Sequence, residues 1–398
     1  MSITEFPLNI FEDDVRRDPY PWYDKLRSTA RVVRNPTLFG TLMVHRHADA
    51  LAVLKDSARF SSADRSGIQD RAQVFRGTPT MLTSDPPTHT RLRGVLSRAF
   101  TPRTVARLAP RLREIASSLV APLRDGATFD ACAGLAAPLP VIAIAELMGV
   151  PVGDRDSFRQ WSDDMVGGTP ELATPDALER ARDAGANLRA YFTEEIARRR
   201  RSAISDDLVG RLVAANEGQV LDDAELLASC VLLLVAGNET TTNLIANMTL
   251  ALARHPDQRR RLLVGPELVP GAVEEAVRYD APVQATVRTC AVDAVVGDTP
   301  ISAGERVFVL LAAANRDPDE FPDPDRFDVG RASTTHLGFG HGVHFCLGAG
   351  LARLEARIAC EELLAAAPEF GLADASAALD YGPSFIFHRP LRLPVVAA

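Results

Sequence analysis

Lysine, tryptophan and long apolar runs are scarce in this sequence of 398 residues, which holds two tryptophans and only two lysines. Because those lysines are Lys25 and Lys55, arginine supplies nearly all of the positive charge. The 44 basic residues are outnumbered by 52 acidic ones, and the net charge is -8. A chain with this balance does not as a whole attract phosphate backbones or anionic lipid, which argues against a nucleic-acid-binding or membrane-surface function.

Paired cysteines and export signals are also missing. The five cysteines lie far apart with no Cys-x-x-Cys pair, which argues against a disulfide framework and a structural zinc site. Residues 1–20 are acidic and lack the apolar segment of a secretion signal. The longest apolar run, residues 226–236, is shorter than the about 20 residues that span a bilayer. We therefore expect a cytoplasmic protein. The cysteines are Cys132, Cys230, Cys290, Cys346 and Cys360.

No linker, low-complexity tract or internal repeat divides the sequence. At roughly 150 residues per domain the length would favour two or three domains, but the undivided pattern predicts a single domain over residues 1–398. Hydrophobic residues make up 46%, enough for a large core. Helical periodicity dominates and strand-like segments are short. The predicted helices are 86–100, 102–123, 135–148, 175–200, 222–254, 266–279 and 348–366, and the predicted strands are 41–44, 283–287, 306–311 and 385–387.

The predicted helix 222–254 has an unusual length and pattern. Asp222 can cap its start, and Pro256 follows its end. At 1.5 Å per residue it would extend about 50 Å, across a whole domain. Its first half is apolar nearly all round, which predicts burial. The polar residues 238–243 then lie near the molecular centre, where burying them costs several kcal/mol unless they are satisfied. That cost points to a functional role.

The most informative segment, residues 339–348, reads Phe-Gly-His-Gly-Val-His-Phe-Cys-Leu-Gly. Cys346 comes just before a predicted helix, whose dipole and free N–H groups stabilise a thiolate. Gly340, Gly342 and Gly348 allow tight turns and a close approach to something large and flat. An isolated cysteine is usually an inert buried thiol, but these neighbours favour a ligand.

These ten residues resemble the haem-binding loop of the cytochrome P450 superfamily, Phe-Gly-x-Gly-x-His-x-Cys-x-Gly, and every fixed position matches. The resemblance implies a mainly α fold with small β-sheets (α+β), in which a long central helix lies over haem b. It implies that Cys346 is the thiolate ligand of the iron, that Phe339 packs on the sulfur side and that His344 reaches a propionate. Gly348 belongs to the same loop, whereas His341 fills a variable position and is expected to be an ordinary surface residue.

Glu275 and Arg278 share one helical face, which alone is a common surface pair worth a few tenths of a kcal/mol. They match the Glu-x-x-Arg signature of the family, and residues 324–327 match the later segment that carries Arg326. The resemblance implies that these three residues form a buried structural triad that supports the cysteine loop.

His89 and Arg93 are four residues apart, so they project from one helical face and could bind one anion together. Asp85 is the expected cap of this helix. A solvated basic face is the alternative interpretation. The resemblance implies that both residues bind haem propionates, together with Arg288 and His344, because buried carboxylates need such partners.

Residues 236–240 read Ala-Gly-Asn-Glu-Thr and match the oxygen-activation segment of the family. The resemblance implies that Ala236 and Gly237 open a groove for dioxygen, that Thr240 provides hydrogen bonds and that Glu239 passes protons from solvent. A helix kink with a satisfied polar pair is the alternative. Peroxide-using members of the superfamily typically lack this acid and alcohol, so the pair favours dioxygen with two electrons.

The roughly fifty residues after Cys346 contain no flavin or iron–sulfur segment. We therefore expect a monomer that receives electrons from a ferredoxin and an NAD(P)H-dependent ferredoxin reductase. The run 198–201 is better explained as the basic end of a helix than as a nucleic-acid site. Five arginines could form a basic patch for an acidic ferredoxin, or could simply be scattered and solvated. They are Arg91, Arg98, Arg103, Arg353 and Arg357.

The resemblance also suggests the substrate pocket, whose residues are mostly apolar or small. The implied substrate is a hydrophobic small molecule such as a terpenoid, steroid, macrolide or fatty acid, which would be hydroxylated or epoxidised. Two alternatives stay open: an oxidase of aromatic or carrier-protein-bound substrates, and a non-catalytic haem-binding recruitment or sensing domain. Besides Ala236, Thr240 and the segment 75–82, the pocket residues are Leu232, Val235, Val283, Gln284, Ala285, Phe385 and Ile386.

Overall fold

The computed structural model describes residues 3–63, 75, 77–167, 174–201, 207–332, 335–382 and 384–397. Helices dominate and the sheets are small, which confirms the predicted fold class. The α-helices are α1 (Asp13–Arg17), α2 (Tyr20–Thr29), α3 (His47–Lys55), α4 (Thr88–Ser97), α5 (Pro102–Leu119), α6 (Ala121–Arg124), α7 (Pro138–Met148), α8 (Arg155–Gly167), α9 (Pro175–Arg201), α10 (Leu208–Glu217), α11 (Asp223–Arg254), α12 (Pro256–Val264), α13 (Val269–Tyr279), α14 (Leu311–Ala314) and α15 (Ala349–Ala366).

In the described part of the chain the strands are short and fall into three sheets. The largest has the order β1-β2-β8-β5-β3, the second has the order β4-β10-β9, and β6 pairs with β7 alone. The strands are β1 (Val32–Asn35), β2 (Thr41–Val44), β3 (Phe60–Ser61), β4 (Phe129–Asp130), β5 (Ala285–Cys290), β6 (Ala294–Val296), β7 (Thr299–Ile301), β8 (Arg306–Leu310), β9 (Phe370–Leu372) and β10 (Pro394–Ala397).

Helix α11 is the long central helix that the sequence predicts. A capping box fixes its start, because the Glu225 N–H donates to Asp222 at 2.7 Å and the Asp222 N–H donates back to the Glu225 carboxylate at 3.1 Å. The helix packs against α7, α8, α9, α13 and α15. It is long and apolar enough to cross a membrane by composition alone, but 67% of its most apolar window is buried, as in a core helix of a soluble protein.

The five-stranded sheet positions one predicted site residue. Strand β5 pairs antiparallel with β8, so that Arg288 lies opposite Val307. The strand begins at Ala285, two residues later than predicted, because Val283 pairs only with Phe387 through an isolated bridge. The predicted strand 385–387 is reduced to that bridge.

Among the described residues, three apolar clusters hold these elements together. The largest surrounds α11 and includes Leu112 of α5, Ile144 of α7 and Ile358 of α15. The second lies against the five-stranded sheet and α3. The third joins α1 and α2 to the other face of that sheet and includes Tyr23 and Phe308.

The charge triad differs from the prediction in one member. Arg278, with a relative exposure of 1%, donates to both oxygens of the Glu275 carboxylate at 2.7 and 2.8 Å. The third member is Arg331, whose Nε lies 3.0 Å from Glu275 Oε2. The prediction that Arg326 fills this position is wrong: its side chain is 60% exposed and 3.9 Å from Asp328. Arg326 contributes only its backbone carbonyl, which accepts from Arg278 and Arg331 at 3.1 and 2.9 Å.

Candidate active site

The cysteine loop is a tight turn in front of α15. The Cys346 N–H donates to the Phe339 carbonyl at 2.9 Å and closes the loop. Gly340 and Gly342 have φ of 68° and 70°, in the region that favours glycine. A Cβ on Gly342 would lie 2.5 Å from the backbone oxygen of Leu54, so a larger residue would clash with α3. These two glycines meet the expectation that the loop requires tight turns.

The Cys346 thiol lies just before α15, whose N-cap residue, Gly348, makes no side-chain cap. Burial raises the pKa of the Cys346 thiol, whereas the backbone N–H groups of Gly348 and Ala349 and the guanidinium of Arg93 lower it. Burial outweighs these groups and the pKa of Cys346 is raised, so the donors and the positive charge offset only part of the cost of burying a thiolate. Gly348 has a φ of -83°, and no described atom lies within 4 Å of where its Cβ would be. Its contribution to cofactor binding stays a prediction.

Charged side chains hold the ring of Phe339, the first residue of the cysteine loop, in place. The Arg353 guanidinium lies over the Phe339 ring at 4.4 Å. Arg353 in turn donates to both oxygens of Glu274 at 2.6 and 2.8 Å, and a His336 ring nitrogen lies 3.1 Å from the same carboxylate. These contacts hold the Phe339 ring beside the cysteine.

Four cationic or donor groups meet on the other side of the loop: His89, Arg93, Arg288 and His344. The His89 and His344 rings lie 4.3 Å apart, centroid to centroid. In the described part of the chain, neither ring nitrogen of His89 nor Nε2 of His344 has a hydrogen-bond partner. Burial and the neighbouring charge of Arg288 lower the pKa of His344 to about 3, and burial lowers the pKa of Arg288 to about 10. The charge of Asp85 acts on His89, Arg288 and His344 and balances part of this cluster.

Asp85 does not cap α4, as the sequence predicts it would. The residue before the helix is Pro87, which makes no side-chain cap. The Asp85 carboxylate instead accepts from the Ser61 hydroxyl and from the Ser62 N–H. The expectation that Asp85 caps this helix is therefore wrong, because the Ser61 hydroxyl and the Ser62 N–H engage its oxygens.

Residues 236–240, in the middle of α11, point to two different sides of the helix. Ala236 is exposed and Thr240 half-buried in the middle of a mostly buried helix, and the Thr240 hydroxyl donates to the Ala236 carbonyl at 2.9 Å. Glu239 and Asn238 point the other way and are buried. The prediction that Gly237 opens a groove for dioxygen does not match the structure. A Cβ at this position would lie 3.3 Å from the side chain of Ile144 in α7. The missing side chain of Gly237 leaves room for that neighbouring helix.

Comparison with known proteins identifies the family of this chain. The family model for cytochrome P450 matches residues 174–263 and 267–366. Cytochrome P450 107B1 of Saccharopolyspora erythraea is 44% identical over 99% of this chain and 99% of its own length. The P450 monooxygenase PikC of Streptomyces venezuelae is 41% identical over 98% of this chain and 93% of its own length. The crystal structure of P450BioI with an acyl carrier protein ligated to hexadec-9Z-enoic acid superposes with a TM-score of 0.89 and 36% identity, covering 97% of this chain and 100% of that one.

The chain belongs to the cytochrome P450 family.

As a P450 it is a haem-dependent monooxygenase, and its cofactor is haem b. The residues present fit that group. The unpartnered ring nitrogens of His89 and His344 and the guanidinium groups of Arg93 and Arg288 would bind the two propionates of haem. The thiol of Cys346 is the kind of soft ligand that would bind the haem iron.

Three of the residues predicted to line the substrate pocket of the P450 lie in its core instead. Gln284, the polar candidate, is 1% exposed; its oxygen accepts from the Tyr23 hydroxyl at 2.8 Å and its nitrogen donates to the Ala281 carbonyl at 2.8 Å. Ala285 and Phe385 belong to the apolar cluster beneath α1 and α2. The prediction fails for them because these side chains are directed into the N-terminal core.

The other residues predicted to line the pocket are partly accessible or lie near accessible residues. Val235, Val283 and Ile386 are half-buried, and Leu232 is buried one turn before Ala236. In the segment 75–82, residue 76 lies outside the described residues, and Phe75 and Met81 pack against the main core. These positions remain candidates for contact with a substrate.

Proposed function

We propose that this P450 hydroxylates or epoxidises a neutral, hydrophobic small molecule in the cytoplasm, with residues 1–398 acting as a single domain. The terpenoid, steroid, macrolide and fatty-acid classes fit this chemistry. A hydroxylation takes one O₂, two electrons and two protons, forms one C–OH bond and releases one water. The observation that carries the proposal is the middle of α11, where the accessible Thr240 hydroxyl is adjacent to the buried Glu239 carboxyl.

Haem binding is assigned to the cysteine loop and the cationic cluster. Cys346 is the proposed thiolate ligand, and Phe339 packs beside it. His89, Arg93, Arg288 and His344 hold the propionates, which is supported by their unpartnered ring nitrogens and by the lowered pKa values of the two arginines. When bound, haem supplies the reduction of dioxygen and the insertion of one oxygen atom into the substrate.

Glu239 and Thr240 are proposed to manage the protons. Burial raises the pKa of the Glu239 carboxyl, Arg389 lowers it and the charge of Asp163 raises it again. An acid with a raised pKa holds a proton closer to neutral pH than an ordinary glutamate does, which suits a proton donor. The Thr240 hydroxyl donates to Ala236, so its oxygen is left to accept a hydrogen bond from water or from an acid.

The proposed electron donors are a ferredoxin and its NAD(P)H-dependent reductase. Two of the arginines predicted to form a docking patch are engaged in ion pairs within the protein. Arg91 donates to Glu225 at 2.8 and 2.5 Å, and Arg353 donates to Glu274. Arg98 and Arg103 stay exposed near the start of α5 and are the better candidates. Charge reversal of both should raise the KM for ferredoxin, and the same change at the exposed Arg182 of α9 is the control.

A carrier-bound substrate is the second candidate. P450BioI was solved with an acyl carrier protein that carries a fatty acid, and it is similar to this chain over its whole length. A comparison of free fatty acids with the same acyl groups on a carrier protein separates the two: tighter binding of the loaded carrier favours the carrier-bound route.

The assignment of Cys346 is tested by Cys346→Ser, which should abolish the red-shifted Soret band of the reduced carbonyl complex. Cys360→Ser is the matched control, because Cys360 is a buried thiol of α15 whose pKa burial raises to about 12. A thiolate-type band that survives in Cys346→Ser would refute the assignment. With the wild-type enzyme, a library of hydrophobic compounds titrated against the Soret band then identifies the substrate class.

A further inference from the structure

Two buried asparagines continue the side of α11 that carries Thr240. Asn243 and Asn247 are 0% and 1% exposed. Asn247 follows Thr240 by seven residues, which is close to two full turns, so the two side chains project from the same side of the helix about 10 Å apart along its axis. Asn243 lies between them on nearly the same side. The half-buried Thr240 is therefore followed by a strip of buried amides.

Two short segments, which we call the pocket wall, carry Val283 and Ile386, two of the candidates for contact with a substrate. Val283 pairs with Phe387 through an isolated antiparallel bridge, and the Gln284 N–H donates to the Ile386 carbonyl at 2.8 Å. The side chains of Val283, Ile386 and Phe387 are half-buried. These contacts hold the two segments together as one unit. The pocket wall consists of residues 280–284 and 385–388.

The Asn247 amide binds both segments of the pocket wall at once. Its Nδ2 donates to the Asp280 carbonyl at 3.1 Å and to the His388 carbonyl at 2.8 Å. Asn243 adds a longer contact, from its Nδ2 to the Pro282 carbonyl at 3.4 Å. Among the described residues the Asn247 side-chain oxygen has no hydrogen-bond partner, so its two donated bonds orient the amide. One side chain thereby sets the distance from α11 to each segment of the pocket wall.

The pocket wall is also attached to α2. The Tyr23 hydroxyl donates to the Gln284 side chain at 2.8 Å, and the Tyr20 hydroxyl donates to the Asp280 carboxylate at 2.9 Å. Both tyrosines belong to the N-terminal core, of which Tyr23 is a fully buried member. The pocket wall would therefore stay attached to this core if its bonds to Asn247 were lost, so a change at Asn247 can move the pocket wall without releasing it.

We propose that Asn247 is a positioning residue that sets the width of the substrate pocket beside Thr240 and thereby selects substrates by size. The proposal rests on the proposed function, because it takes the substrate to be oxidised beside Thr240. While the Asn247 amide binds both carbonyls, the pocket wall stays close to α11. Without that amide two buried carbonyls lose their donor, which is unfavourable. The pocket wall then moves away from α11, and the pocket widens.

The test measures the binding of three nitrogen ligands of different size to the haem-loaded protein: imidazole, 4-phenylimidazole and the bulky clotrimazole. Their dissociation constants are read from the shift of the Soret band. Asn247→Asp keeps the size of the side chain but turns an acceptor oxygen towards the two carbonyls, which repels the pocket wall. The constant for 4-phenylimidazole should rise about tenfold, the loss of apolar contact with roughly two methylene groups. The constant for clotrimazole should fall, and that for imidazole should stay unchanged.

Asn247→Thr is the second variant and keeps the proposal testable if Asn247→Asp does not fold. A threonine hydroxyl can donate to its own helix, as Thr249 does to the Ile245 carbonyl at 2.8 Å, so the change breaks the bonds to the pocket wall without introducing a charge. It should produce the same order of shifts. Thr249→Val is the matched control, because Thr249 is a buried polar residue of α11 whose hydroxyl bonds within the helix. All three constants should stay unchanged in this control.

A size-dependent order of shifts separates a positioning role from a merely structural one. Constants that stay in place, that shift by the same factor for all three ligands, or that follow any other order would overturn the proposal. The same holds if Thr249→Val reproduces the order seen in the Asn247 variants. Ligand binding requires no turnover. If the wild-type enzyme oxidises no hydrophobic compound, the proposed function fails, whereas the three constants still decide whether Asn247 sets the width of the pocket.

Discussion

Replacement of Arg331 by alanine tests the corrected charge triad most directly. The change removes the third partner of a fully buried carboxylate, Glu275, which Arg331 contacts at 3.0 and 3.2 Å. It also removes three hydrogen bonds to backbone carbonyls: Pro322 at 2.7 Å, Asp323 at 3.0 Å and Arg326 at 2.9 Å. The segment between β8 and the cysteine loop would keep the hydrogen bonds from Arg278 to the Asn315, Pro324 and Arg326 carbonyls but lose every contact of Arg331.

The structure sets the size of the expected effect. Breaking a buried ion pair costs about 3–5 kcal/mol when an uncompensated charge remains. Glu275 keeps Arg278, and Arg331 is itself 11% exposed, so we expect the lower end, about 3 kcal/mol. Arg326→Ala is the matched control. Its exposed side chain makes one pair at 3.9 Å, which is worth about 0–1 kcal/mol.

The measurement is urea unfolding of the haem-loaded protein, followed in parallel by far-ultraviolet circular dichroism and by the Soret band. The midpoint should fall clearly in Arg331→Ala at an unchanged slope and should barely move in Arg326→Ala. The Soret transition should shift at least as far as the dichroism, because the triad supports the cysteine loop. Equal effects of the two variants, or a loss in Arg331→Ala below about 1 kcal/mol, would refute the reasoning.

Further predictions follow from single contacts. Burial would lower the pKa of His388, but Asp280 outweighs burial and the pKa is raised; the stabilisation is complete below the unfolded pKa of about 6.5 and is lost as the pH rises through the folded value. His388→Gln should flatten that part of a plot of unfolding midpoint against pH. Gly342→Ala should destabilise by more than about 1–2 kcal/mol, because a left-handed φ and a backbone oxygen exclude a Cβ. In contrast, Gly350→Ala on an open helix face should be neutral or stabilising by up to about 1 kcal/mol. Thr240→Ala should keep haem and substrate binding but divert electrons to hydrogen peroxide; unchanged coupling of NAD(P)H use to product would contradict its role.

Local signals in the sequence predicted much of the helical framework. The start of α11 was predictable because Asp222 and Glu225 cap each other across one turn, a contact that depends only on spacing. Its C-terminal limit was set by Pro256. Short elements such as β3 and α14 carry no comparable signal, since tertiary pairing fixes them.

The errors share a physical origin in side-chain direction. Gln284 is next to the half-buried Val283, but its side chain turns to the opposite side and meets Tyr23. Arg326 lies in the matched segment, yet the chain turns so that its carbonyl and not its guanidinium reaches the triad. Arg389 carried no recognisable motif and became visible only through its position beside Glu239.

The cationic cluster has a consequence for the maturation of the protein. Before haem binds, burial lowers the pKa values of Arg93 and Arg288, and the ring nitrogens of His89 have no hydrogen-bond partner among the described residues. Haem insertion should then raise the free energy of unfolding as well as make the enzyme active, because a ligand that binds only the folded state stabilises it. Newly made chains should stay sensitive to proteases around α4 until haem is loaded. Supply of the prosthetic group would thereby set how much of this enzyme a cell retains.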